Sequence, residues 1–153
     1  MTRTTARQLA VQLSFAVSAG SDFGPDEFFD EEYFRALPEE DLPFAEIPDE
    51  KQKEYILRLV SGVREHQSEL DAIVERYAQG WKLSRISRTA LAVLRCALYE
   101  ILYMPDIPPA ASINEAVELA KGYDEPETVS FVNGILGSFM RDRDPVPETA
   151  EPD

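Results

Sequence analysis

Apolar residues recur at three- and four-residue steps along most of the chain, the spacing that lays side chains on one face of an α-helix. Ala6, Leu9, Ala10, Leu13, Ala16 and Val17 form the first such stripe, and Gly20 is its expected stop. Pro25 suits a first helical turn, and Phe28, Phe29, Tyr33 and Phe34 after it predict a short second helix. Pro38, Pro43 and Pro48 then keep the chain extended or turning until Asp49, a natural N-cap for a helix carrying Ile56, Leu59, Val60 and Val63. Ser68 and Asp71 have the spacing of a capping box, which predicts a restart into a helix with Leu70, Ile73, Val74 and Tyr77 that ends near Gly80 and Trp81. Ser87 is expected to cap a longer helix in which Leu91, Leu94, Leu98, Ile101 and Leu102 face inward, with Pro105 closing it. Ser112 followed by Glu115 is a further expected capping box, opening a helix with Ile113, Ala116, Val117 and Ala120. Beyond Gly122 and Pro126, Val132, Ile135, Leu136 and Phe139 mark the last stripe. Strand-type alternation bounded by hairpin turns does not occur, so the expected fold is all-α, a bundle of about seven helices.

Charge divides the chain more sharply than hydropathy does. Of a formal net charge of -14, the segment 22–50 carries -11 and the tail 142–153 carries -4, which leaves the remaining body close to neutral. The expected organisation is therefore one helical domain over 1–141, interrupted by an acidic insert-like segment at 22–50, and a disordered, proline-containing acidic tail at 142–153. Inside the body the local sign reverses: Arg76, Lys82, Arg85, Arg88 and Arg95 occur with no acidic residue before Glu100. A run of that kind attracts an anionic partner over roughly a Debye length even though the whole chain is acidic. The basic start is not read as a signal peptide, because Gln8, Gln12 and Ser14 interrupt the apolar stretch that follows. With no run of about 18 uninterrupted apolar residues, no membrane partner is expected and the location is read as cytoplasmic.

Catalytic chemistry is scarce. One Cys and one His supply neither an internal disulfide nor a four-ligand structural zinc site, and the glycines form no phosphate-binding cluster. His66 sits at an expected helix junction with no nucleophile motif around it, and Cys96 lies beside an apolar stripe as a small core residue. The carboxylates between Asp22 and Glu50 read as a solvated loop rather than as acid–base pairs. The expectation is a protein that is not an enzyme, with no catalytic residue, cofactor or metal.

Binding is the better reading of what remains. Arg3 and Arg7 are four residues apart and are expected to share one face of the first helix, away from the Leu9 and Leu13 stripe. Guanidinium groups suit phosphate and also stack on unpaired bases. Phe131, beside Ser130 on the last helix, is open between the core and an exposed stacking platform.

Three segments carry a family resemblance: Leu94-Arg95-Cys96-Ala97-Leu98-Tyr99-Glu100, Ile113-Asn114-Glu115-Ala116-Val117-Glu118-Leu119-Ala120-Lys121, and Phe131-Val132-Asn133-Gly134-Ile135-Leu136. With Ala6-Arg7 and Ala10-Val11-Gln12 in the opening helix, they closely resemble the NusB family of bacterial transcription antitermination factors. The likeness runs from about Arg3 to Phe139 and weakens across 22–50. It implies an all-helical fold without catalysis, a partnership with NusE (a small-subunit ribosomal protein) and capture of single-stranded boxA RNA in nascent ribosomal RNA leaders. It further implies that the pair joins the RNA polymerase antitermination complex with other Nus factors and suppresses termination.

The same resemblance assigns residues. Arg3 and Arg7 fall on the family's N-terminal arginine-rich motif, and Phe15 on a position that is aromatic in its first helix. Glu127 and Phe131 match positions near the RNA site, while Tyr77 and Arg95 fall where the middle helices approach NusE; Arg95 serves equally as an anchor of the fold. Thr4 and Thr5 stand where further arginines are frequent, which implies weaker RNA affinity for the protein alone. Ala90 stands where an acidic residue is usual, which removes an expected partner contact. Asn114, Glu115 and Asn133-Gly134 are read as structural, through capping, close helix approach and a backbone hydrogen bond from Asn133. Two other readings stand beside this one. The chain resembles less an RNA-binding module appended to a ribosomal RNA methyltransferase, because no cofactor-binding domain follows. A helical protein–protein adaptor without RNA binding is the alternative, with the acidic segment repelling RNA and a homodimer masking the basic run.

Overall fold

The computed structural model describes residues 2–18, 49–78, 85–123 and 125–143, and all the regular structure among them is α-helical. The expected Phe28–Phe34 helix, the acidic segment up to residue 48, the stops at Gly20 and at Gly80-Trp81, Lys82 and the tail from residue 144 lie outside the described residues, while Asp142 and Arg143, expected to open the disordered tail at 142–153, belong instead to the last helix. The chain divides into two compact units, Met1–Gln67 and Ser68–Asp153. Among the described residues no helix is long and apolar enough to cross a membrane.

In the first unit, α1 (Arg3–Ser18) packs against α2 (Glu50–Glu65). Thr2 starts α1, since its Oγ1 accepts the N–H of Thr5 at 3.1 Å and so satisfies one of the orphan donors of the first turn. Asp49 starts α2 with a complete capping box: its Oδ1 accepts the Gln52 N–H at 2.8 Å, and the Asp49 N–H donates to Gln52 Oε1 at 2.9 Å. The expected apolar stripes are the ones buried, with Ala6, Leu9, Ala10 and Leu13 on α1 and Ile56, Leu59, Val60 and Val63 on α2. Val11 and Tyr55 are buried as well, which makes each helix's buried surface wider than a single stripe. His66 closes α2 by donating its backbone N–H to the Gly62 carbonyl at 2.9 Å, which is the junction expected of it.

The second unit holds α3 (Gln67–Tyr77), α4 (Arg88–Tyr103), α5 (Pro109–Tyr123) and α6 (Pro126–Arg143). Ser87 caps α4 as expected, accepting the Ala90 N–H at 3.0 Å, and the helix stops at Tyr103 before Pro105. α4 is the most deeply buried element: Ala92 to Ile101 are all buried, Cys96 among them, while Leu91 and Leu102 at its margins are half-buried. α5 and α6 pack on it and on each other. Val132, Ile135, Leu136 and Phe139 bury the expected stripe of α6.

Both capping boxes expected in this unit are replaced by tertiary contacts. α3 begins at Gln67, so Ser68 lies inside its first turn, and the Asp71 carboxylate instead accepts two hydrogen bonds from Arg95 of α4, from Nε at 2.7 Å and Nη2 at 2.9 Å. α5 begins one turn earlier than expected, at Pro109, a residue suited to a first helical position because its missing N–H costs nothing there. The Pro108 carbonyl accepts the N–H groups of Ala111 and Ser112, so the Ser112 hydroxyl is free of capping duty and donates to Glu100 Oε1 of α4 at 2.9 Å. Glu100 is 0 % exposed, and a carboxyl group taken fully out of water requires such a partner.

α3 is tied to α4 and α6 by its polar face. Besides Asp71, Glu69 accepts the Tyr103 hydroxyl at 2.8 and 2.9 Å, and Tyr77 meets Phe139 of α6 edge to face at 6.1 Å between ring centroids. From α6, Arg143 Nη1 donates to the Ile101 carbonyl near the end of α4 at 3.0 Å. The Arg95–Asp71 pair is the most enclosed of these contacts, its side chains 9 % and 20 % exposed. Truncating Asp71→Ala strands the guanidinium away from water and is expected to destabilise the protein by about 3 kcal/mol. Urea unfolding checks this, and a Asp71→Ala, Arg95→Met double variant is expected to recover part of the loss, since no buried charge is then left unpaired.

Candidate nucleic-acid and partner interfaces

The first turns of α1 bring Arg3 and Arg7 to one aromatic ring of α2. The Arg3 guanidinium carbon lies 4.3 Å from the centroid of Tyr55 and that of Arg7 5.9 Å from it, both within the range at which a ring's π face attracts a cation. Sharing a face was expected of these arginines; lying away from the apolar stripe holds only for Arg3. Arg7 is 5 % exposed, because α1 buries Ala6, Leu9, Ala10, Val11, Leu13 and Ser14 as a broad surface and position 7 falls within it. Arg3 is exposed, and Phe15, three turns further along α1, is half-buried. Thr5, where a further arginine would extend the basic motif, has its N–H held by the Thr2 cap. Tyr55 was missed in the sequence because it continues the apolar run of Ile56, Leu59 and Val60 and reads as one more core position.

Glu127 and Phe131 are one turn apart on α6, Glu127 exposed in the first turn and Phe131 half-buried. Their spacing places them on the same helix face as Ser130 and Gly134, both exposed.

The two partner candidates are held by contacts within the second unit. Arg95, 8 % exposed, commits two donors to Asp71, the anchoring role that its sequence position left open. Tyr77 is half-buried, and its hydroxyl donates to Asp142 Oδ2 at 2.8 Å. That hydrogen bond, with partial loss of hydration, holds the phenol's pKa above its ordinary value, against the pull of the Arg76 guanidinium 5.6 Å from its ring. Ala90, the departure from a position that is usually acidic in the family, is fully buried in the first turn of α4. Among the described residues no group of three or more His, Cys, Asp or Glu is placed to hold a metal ion.

Comparison with known proteins places this arrangement. The model of the NusB family matches residues 4–141. A transcription antitermination protein NusB of Acetivibrio thermocellus is 41% identical over 92% of this chain and 90% of its own length. The chain belongs to the NusB family. Among solved structures, NusB of T. maritima is 31% identical, with a TM-score of 0.72 over 97% of this chain and 96% of that one. The fold also matches the NusB in a crystal structure of the antitermination factors NusB and NusE with double-stranded RNA, at a TM-score of 0.72 and 23% identity over 92% of this chain and 96% of that one.

Within the family frame, the residues that carried the resemblance separate by role. Glu100, quoted in the α4 segment, is a buried structural carboxyl. Asn114 and Asn133 are exposed, and Glu115 is half-buried. Gly134 corrects an expectation: a Cβ built there meets nothing within 4 Å, so close helix packing is not what this position requires. A glycine inside a helix costs backbone entropy, and among the described residues no neighbouring element takes up the space it leaves. Gly134→Ala is therefore expected to raise stability by roughly 0.5–1 kcal/mol, read as an increase in Tm.

Tyr77 supplies an alkaline signature. Because its folded pKa is raised, the hydrogen bond to Asp142 stabilises the fold fully below the ordinary phenolic value of about 10 and is lost as pH climbs through the folded value. The stability difference between the wild type and Tyr77→Phe is expected to be constant from pH 7 to 9 and to shrink above about 10, measured by urea unfolding across that range.

Proposed function

We propose that this member of the NusB family is a transcription antitermination factor that, paired with NusE, captures single-stranded boxA RNA in nascent ribosomal RNA leaders. The pair then joins the RNA polymerase antitermination complex. In this reading the protein is cytoplasmic and not an enzyme: it contributes surface, orientation and charge rather than a reaction.

The observation that carries the reading is the arginine pair gathered over Tyr55 at the start of α1. Arg3 offers an exposed guanidinium suited to phosphate, and Arg7 anchors the same basic edge from within the fold. Phe15 is assigned beside them on α1, and Glu127 and Phe131 supply the second contact, with Phe131 stacking on a base. Tyr77 is assigned to the NusE-facing surface, and Arg95 acts behind it by fixing α3 against α4 through Asp71. A patch of this size holds RNA weakly by itself. Pairing with a second RNA-binding protein makes the second contact effectively intramolecular, which is how a modest basic edge becomes specific and tight.

The test is binding of a labelled boxA RNA, and of a scrambled RNA beside it, with and without the cognate NusE at two salt concentrations. Specific binding that tightens with NusE is expected, and log K should fall linearly with log salt by about 0.7 for each phosphate contacted on a single strand. Arg3→Ala is expected to weaken binding several-fold and to flatten that slope by about one contact. Absence of binding under both conditions, from protein shown to be folded, would replace this reading with the protein-only adaptor.

A further inference from the structure

The arginines of this chain are held in two different ways. Arg95 is gripped by a carboxylate, and two of its donors, Nε and Nη2, are consumed by Asp71 at 2.7 and 2.9 Å. Arg3 is instead held 4.3 Å from the centroid of the Tyr55 ring, a contact that takes up none of its hydrogen-bond donors and neutralises none of its charge. A carboxylate in place of that ring would fix the side chain equally well and cancel it as a phosphate-binding group. The ring does only the first: it orders the guanidinium and leaves the charge on offer.

Tyr55 is built to do this. It is 6 % exposed and lies on the packed face of α2 between Glu54 and the buried Ile56, so its ring is fixed by the packing of α1 on α2 rather than by any ligand. The Asp49–Gln52 capping box starts α2 just over one turn before it, and the Thr2 cap starts α1 beside Arg3, so both helix beginnings that meet at the ring are defined by hydrogen bonds. An exposed arginine free in water samples many rotamers and loses them on binding phosphate, whereas one already resting on a ring loses fewer. The second arginine, Arg7, lies 5.9 Å from the same centroid but is buried within α1's packed surface, so it is Arg3 that the ring presents to solvent.

We infer that Tyr55 is a positioning residue for RNA binding: its ring pre-orders Arg3 as an anion-binding group without touching the RNA itself. The inference rests on the function proposed above, in which Arg3 contacts phosphate.

Two measurements on the full chain test it, one of them without RNA. In the free protein, the side-chain resonances of Arg3 are expected to carry a ring-current shift that persists in Tyr55→Phe, which keeps the ring, and disappears in Tyr55→Leu, which keeps an apolar group at that position. In boxA RNA binding with NusE present, Tyr55→Leu is expected to lose about three- to fivefold in affinity, Tyr55→Phe to stay within twofold, and Tyr55→Leu to cost nothing further once Arg3 is Ala. Circular dichroism of each variant at the assay temperature confirms that it is folded. An Arg3 ring-current shift that is absent, or unchanged in Tyr55→Leu, overturns the positioning role whatever the RNA does. A shift that behaves as expected while folded wild-type protein binds no boxA RNA overturns the proposed function, and the RNA role of Tyr55 with it. Equal losses in Tyr55→Phe and Tyr55→Leu mean that the hydroxyl or the packing matters rather than the ring, and also overturn the inference.

Discussion

What a guanidinium rests against determines what it can do, and the structure depends on that constraint in both of its units. In the larger unit, Arg95 lies among the buried residues of α4, where an unpaired charge would be untenable. Asp71 meets it with both carboxylate oxygens, and because Asp71 belongs to α3, the requirement for a counter-charge fixes one helix against another. Glu69 and Tyr77 lie about half a turn before and nearly two turns after Asp71 on α3, and each makes its own contact to Tyr103 or to α6 once that register is set. In the smaller unit the counterpart is a ring. Tyr55 receives Arg3 without discharging it, so the same residue type is structural in one place and chemically available in the other.

The helices were legible in the sequence because most of their ends are written locally. Asp49 and Ser87 cap the helices they were expected to cap, and Pro105 follows the end of α4 within two residues. The stripes of α2 and α6 were legible for the same kind of reason, since a helix that buries one face must repeat apolar residues at its own period. Where local signals misled, a short polar residue had a better partner far away in sequence. Asp71 and Ser112 both carry the spacing of a capping box, yet one is taken by Arg95 and the other by Glu100. Nothing in a stretch of four residues records a carboxylate or guanidinium arriving from another helix. Pro109 was the signal that should have displaced Ser112 as the start of α5, because a proline is tolerated at the first helical position and not one turn inside.

The candidate site residues divide along the same line. Arg3, Arg7 and Phe131 stood out by residue type and spacing and Glu127 through the family resemblance, and the spacing of each pair by four residues was enough to put it on one helix face. The burial of Arg7 was not legible, because a charged residue inside a buried helix surface looks in sequence like one outside it. Tyr55 was hidden for the opposite reason: an aromatic residue in an apolar run looks like core, and it is core, but its ring also has a face that holds a cation. Gly134 shows a third kind of failure. Its place in a family motif suggested tight packing, whereas among the described residues the space around it is open.

The proposed capture of RNA by an acidic chain is a smaller paradox than its net charge of -14 suggests. At physiological ionic strength a charge is felt over about 8 Å, so phosphate responds to the groups beside it and not to the sum over the protein. The acidity is concentrated at 22–50 and 142–153, and the helical body apart from those stretches is near neutral. What an anion meets at the start of α1 is therefore set by Arg3 and by how firmly it is held. One ordered, exposed guanidinium offers an anion only a weak hold. In the proposed pairing with NusE the affinity comes from the two chains together, so that the complex, rather than either chain alone, is the unit that selects its site.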